Sequence, residues 1–225
     1  MIQIIDKLQL TKDGLFVKGT KQEIHLQQGA LDGACAVYSM MMCLIIAKAI
    51  KRNEVTNLDF SPDGRSSKGI LVRLFLENQG LIRKGYFFPP LQADLDFSFK
   101  KQVNTWCRVS KSLASSPDFE LKKAEISQCL SDDIIEALDN NVPVMIGFTR
   151  KGNQSGHAVV VIGYQMQNDN IKLFCLDPGY PLFEGQIWNN IIQVDKNSSS
   201  KYNCINYNEN YRVAIDEILV IERKP

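Results

Sequence analysis

Three side chains in this sequence have the types and settings that thiol chemistry requires. The stretch from Gln27 to Ser39 reads Gln-Gln-Gly-Ala-Leu-Asp-Gly-Ala-Cys-Ala-Val-Tyr-Ser, so Cys35 stands where a glycine-bearing loop turns into a long apolar helical run. The unpaired amide hydrogens and partial positive charge of a helix N-terminus favour a thiolate, the nucleophilic form of cysteine. A base must then take the thiol proton and hold it. Of the two histidines, His157 lies in Ser-Gly-His-Ala-Val-Val-Val-Ile-Gly-Tyr, at the head of an apolar strand. Asp177, in Leu-Asp-Pro-Gly, closes the next strand and can orient the imidazole. The order Cys, His, Asp in these settings points to nucleophilic thiol catalysis. Each residue also has an ordinary reading: a buried helix cysteine, a satisfied strand histidine, and an aspartate capping the turn at Pro178-Gly179. His25, ten residues before Cys35, reads as structural.

The elements that must hold these groups are legible in part. The first helix is expected from Cys35 to about Lys51 or Arg52, with basic residues in its last turn and apolar residues all round its axis, so that it is buried on most sides. Met40, Met41 and Met42 read as core filler. A second helix is expected after Ser66-Ser67, stopping at Gly80. A third begins at Ser131, followed by Asp132, Asp133 and an apolar pattern at Ile134, Ile135 and Leu138. Between Lys84 and Ser116 aromatic residues and Pro89-Pro90 give no single pattern. Val142–Phe148, His157–Tyr164, Ile171–Leu176 and Arg212–Ile221 read as strands, with Asn168-Asp169-Asn170 at the tip of a hairpin. Residues 1–34 read as extended or irregular, with a hairpin at Lys12-Asp13-Gly14, and the polar stretch Lys196–Asn210 as an exposed loop. A helical front half and a strand-rich back half make the fold class α+β.

Composition narrows the partners. The chain has 225 residues, 44% of them hydrophobic, which suits one domain, with a helical half over about 1–140 and a strand-rich half over about 141–225. A net charge of +1 gives no electrostatic footprint for nucleic acid or an acidic membrane. The apolar run Val37–Ala49 is too short to cross a bilayer, which needs about 20 residues. No secretory signal is visible, so a cytoplasmic location or export by a signal-independent route is expected. Cysteines 35, 43, 107, 129, 175 and 204 form no Cys-x-x-Cys pair. Free thiols are therefore expected, and neither a metal nor a cofactor.

At these residues the chain resembles the papain-like cysteine peptidases, and within them the compact bacterial branch that trims bacteriocin leader peptides after a double glycine. The matching pieces are Gln28–Ser39, Asp133–Leu138 leading into Pro143–Ile146, Gly156–Val160, and Asp177-Pro178. The resemblance implies a helical lobe, with the nucleophile on its central helix, packed against an antiparallel sheet lobe. It implies Cys35 as nucleophile, His157 as general base and acid, and Asp177 as orienting group. It also implies a glutamine that helps the cysteine amide stabilise the oxyanion, which is Gln28, with Gln27 as the alternative. Six residues separate Gln28 from Cys35 where the family usually has five, and Gly29 and Gly33 can absorb the extra one. Ala36 stands where many relatives have glycine. Asp32 is an alternative cap for the Cys35 helix, and Trp188 either shields the triad from water or fills the core.

The activity this implies is hydrolysis of a peptide or isopeptide bond in a protein or peptide substrate. Three other readings use the same fold: deamidation of a glutamine side chain on a partner protein, acyl transfer to an amine, and a binding module without catalysis.

Overall fold

The computed structural model describes residues 1–27, 35–53, 82–83, 86–87, 119–124, 130–152 and 156–223. Its organising element is a closed antiparallel barrel. Six consecutive strands, β7 (Val144–Arg150), β8 (Gly156–Gln167), β9 (Asn170–Leu176), β10 (Asn190–Asp195), β11 (Cys204–Asn206) and β12 (Tyr211–Arg223), pair each with the next, and β12 returns to pair with β7. Closure leaves no open edge among them. Two further strands extend the sheet: β1 (Ile2–Ile4) lies beside β8 from Gly163 to Gln165, and β6 (Phe119–Ala124) beside β12 from Ile218 to Arg223.

Directly opposed residues in a ladder share a face, and the register defines one such face round the barrel. Val144 faces Val161, which faces Cys175, which faces Asn190. Ile171 faces Val194, Val194 faces Cys204, and Cys204 faces Val213. These residues are all buried, while their alternating neighbours Ile191, Gln193 and Asp195 on β10 are not, so the face is the barrel interior. The β-branched residues there suit a pleated, crowded surface.

Helix α1 (Cys35–Ile46) packs against β8 and β7. Met40 through Ile46 are all buried, which accounts for the apolar residues surrounding its axis. It ends earlier than its sequence suggests. Lys48 takes a left-handed conformation (φ 58), the Lys48 amide donates to Ile45 and the Ala49 amide to Leu44. That is a Schellman cap, and Lys51 and Arg52 lie beyond it rather than in the last turn. Helix α2 (Leu130–Asp139) starts one residue before Ser131 and ends in the same motif, with Asn141 left-handed (φ 61) and the Val142 amide donating to Ala137. No described helix is long and apolar enough to cross a membrane.

The α+β class holds, with two corrections. The front half is not simply helical: beside α1 and α2 it holds β1, β2 (Leu8–Thr11) paired with β3 (Gly14–Val17) across Lys12-Asp13, β4 (Ile82–Arg83) paired with β5 (Tyr86–Phe87), and β6. The β2–β3 pair is the hairpin expected at Lys12-Asp13-Gly14, whereas β1, β4 and β5 are too short to leave a periodic signal. The stretch Lys196–Asn210 is not all loop, because Cys204–Asn206 forms β11 and completes the barrel. Three residues among asparagines carry almost no periodic signal. The helix expected over 66–80 and most of 84–116 lie outside the described residues.

Candidate active site

The barrel register brings the expected polar groups to one mouth. His157, at the start of β8, faces Phe148 on β7 and continues the interior face. Asp177 lies two residues beyond Cys175, where β9 ends, and Asn190 opens β10 opposite Cys175. Strand alternation therefore delivers an imidazole, a carboxylate and a carboxamide to the same rim. Helix α1 approaches from outside, and its Ser39 hydroxyl, fully buried, donates to the Ala158 carbonyl at 3.1 Å. That bond fixes the first turn of α1 beside the residue that follows His157.

Cys35 is the first residue of α1 and is partly buried. It lies close enough to His157 for the two side chains to interact and for Cys35 to raise the imidazole pKa. His157 Nε2–H donates to Asp177 Oδ1 at 2.7 Å, so Nδ1 is the ring nitrogen left without a bond to that carboxylate. The ring of Phe148 meets the imidazole edge-on, with centroids 5.5 Å apart and planes at 76°. The structure thus brings Cys35 beside His157 and hydrogen-bonds His157 to Asp177. Burial works against charge on His157, yet the hydrogen bonds from Asp177 and Cys35, and their charges, raise its pKa to about 10.

Asp177 is fully buried and every bond to it is specific. Oδ1 accepts from His157 and from the Gly179 amide at 2.8 Å, so the turn-capping role and the contact with His157 coexist on one oxygen. Oδ2 accepts from Asn190 Nδ2 at 2.8 Å. The Asp177 main chain is clamped by Asn189, whose Oδ1 accepts from the Asp177 amide at 2.6 Å while its Nδ2 donates to the Asp177 carbonyl at 2.8 Å. His25 is buried and its Nε2 also reaches that carbonyl, at 3.1 Å. Its pKa is lowered, chiefly by burial and partly by the Arg52 charge, against the opposing pull of the Asp177 carbonyl.

Asn189, Asn190 and Phe148 were not singled out in the sequence. Asn190 had a signal: it begins the alternation continued by Ile192 and Val194, which points it inward. Trp188 packs on Phe174 with ring centroids 4.2 Å apart. Gln28, Asp32 and the glycines beside them lie outside the described residues, and Gln27, the last residue before them, is exposed. Cys43, Cys175 and Cys204 are buried free thiols, and burial holds each in its protonated form, Cys204 at about 12. Among the described residues no group of His, Cys, Asp and Glu is arranged to hold a metal ion.

The described residues thus form an α+β fold in which a helix headed by Cys35 packs on a six-stranded antiparallel barrel, with His157 and Asp177 at its mouth. Residues 118–214, which include His157 and Asp177, match the model of the Peptidase_C39 like family, a papain-like cysteine peptidase branch related to the bacteriocin leader peptidases. That match bears out the family read from the sequence. No curated protein matches the chain.

Proposed function

We propose that the protein is a thiol hydrolase that cleaves a peptide or isopeptide bond through Cys35, His157 and Asp177. What supports the reading is the Cys35 thiol beside His157, whose Nε2–H donates to the buried Asp177 carboxylate. His157 takes the thiol proton, the sulfur attacks the amide carbonyl, and the imidazolium returns the proton to the departing amine. A water deprotonated by the same imidazole then hydrolyses the thioester and frees the sulfur. Asp177 stabilises the imidazolium and fixes the ring orientation. The Cys35 amide and Gln28 bind the oxyanion, and loss of one such donor costs on the order of 3 kcal/mol in the transition state.

The test is digestion of a peptide library by the wild type beside Cys35→Ala. The expected result is cleavage by the wild type and none by the variant. Equal turnover by both removes the mechanism. A mass gain of about one dalton on glutamine without chain scission, as replacement of NH₂ by OH through the same acyl-enzyme requires, redirects it to deamidation.

A further inference from the structure

We propose that Asn190 is a positioning residue, which fixes the rotation of the Asp177 carboxylate and through it the line along which His157 is held. The inference rests on the roles given above to His157 and Asp177. Each carboxylate oxygen has its own fixed donors: His157 Nε2 and the Gly179 amide on Oδ1, Asn190 Nδ2 on Oδ2. With both oxygens held, the carboxylate cannot turn without breaking a bond made from another strand. Without Asn190 the Oδ2 side of a fully buried anion has no side-chain donor among the described residues, and rotation about the Cβ–Cγ bond is opposed only from the Oδ1 side.

The way Asn190 is placed supports a role in the site rather than in packing. A carboxylate only accepts, so Asn190 must turn its amino group towards Asp177. Its own Oδ1 is then directed into the barrel, where it is buried and has no hydrogen-bond partner among the described residues. An unpaired buried acceptor weakens a fold. Ile192 and Val194, next on the same interior face of β10, show what fills that face elsewhere. A leucine at 190 would keep the branching and heavy-atom count of the side chain and remove the unpaired oxygen. A carboxamide that packing does not require, bonded to the one carboxylate that contacts His157, marks a local rule broken for function.

The test uses the full chain with Asn190→Leu, and Asn190→Ala should the leucine variant fail to fold. Two readouts are followed with the melting temperature. One is alkylation of Cys35 by iodoacetamide at pH 6, mapped by peptide mass. The other is the ring N–H signal of His157 in histidine-labelled protein, readily assigned because the chain has only two histidines. The expected result is that the N–H signal, protected from water exchange in the wild type, loses its protection. Alkylation falls roughly 100-fold, the scale of a slight misplacement of a reacting group, with the chain still folded at the assay temperature although the unpaired Oδ2 lowers the melting temperature. An unchanged ring signal and alkylation rate overturn the proposal. So does a loss confined to the fraction of the protein that is unfolded at the assay temperature, the mark of a purely structural residue. If wild-type Cys35 reacts no faster than N-acetylcysteine, the hydrolase reading falls, and the ring signal alone then decides the role of Asn190.

Discussion

Gly179 lies so close to His157 that a β-carbon built on it would stand 3.5 Å from Cε1 of the ring and 3.2 Å from Asp177 Oδ1. The backbone there is not in the left-handed region, so it is space and not conformation that favours glycine. Gly179→Ala should therefore fold, but the carboxylate must yield by a few tenths of an ångström along the bond it makes to Nε2. The expected outcome is a fall in kcat with a nearly unchanged melting temperature. Full activity in this variant would show that the Asp177–His157 contact tolerates displacement.

Ser39 joins the two halves of the site. Its hydroxyl is fully buried and bonded to the carbonyl of Ala158, next to His157. Ser39→Ala removes the donor and costs about 1 kcal/mol of stability, the usual net worth of such a bond. The loss in activity should exceed what that destabilisation explains, because α1 carries Cys35 and the bond sets how its first turn meets β8. Denaturant unfolding and steady-state kinetics on the same preparation separate the two effects.

The parts of this fold that were legible in the sequence are those with dense periodic signal. The β8–β9 hairpin, the late strand and α2 announce themselves by runs such as Ala158–Ile162 or the capped Ile134, Ile135, Leu138 pattern. Barrel closure was not legible, since it depends on β11, whose three residues Cys204, Ile205 and Asn206 gain their meaning only from pairing on both sides. The nearness of Cys35 and His157 agrees with what their residue types and settings suggest, and their roles stand as a proposal. Of the support around Asp177, the turn at Gly179 was expected but Asn189 and Asn190 were not, because Asn189 acts through several hydrogen bonds of one side chain and Asn190 through one. Neither leaves a pattern in a linear chain. Gln28 remains where the sequence put it, as a proposal.

Gly163 offers a control far from this chemistry. It sits at the bulge of β8 where β1 crosses, and a β-carbon there would collide with the Gln3 carbonyl and the Ile4 side chain. Gly163→Ala should displace β1 while leaving β7, β8 and β9 paired. The expected signature is faster amide exchange at Ile5, whose amide bonds across that crossing, with unchanged exchange in Val159 through Val161. Protection retained at Ile5, whose amide donates to the Ile162 carbonyl at 3.0 Å, would contradict it.

The two histidines tilt stability in opposite directions with pH, and this gives a direct test of the Asp177–His157 bond. The pKa of His157 is raised in the folded protein to about 10, from about 6.5 for an unperturbed imidazole. Between those values the native state binds the proton and the unfolded chain does not. Its contribution is thus fully present below pH 6.5 and is lost as pH climbs towards 10. His25 is lowered, so its contribution is present above about pH 6.5 and is lost on acidification, when the unfolded chain binds a proton that the buried ring resists. Asp177→Asn removes the charge that holds the His157 proton but keeps the main-chain carbonyl that His25 touches. Melting temperatures recorded from pH 5 to 10 should then show the alkaline decline reduced in Asp177→Asn relative to wild type, with the acid decline unchanged. His157 keeps 22% of its side chain open to solvent, so moderate salt should shrink the difference without abolishing it. An alkaline decline of equal steepness in both proteins would mean that the carboxylate does not hold the proton on His157, and the orienting role of Asp177 would go with it.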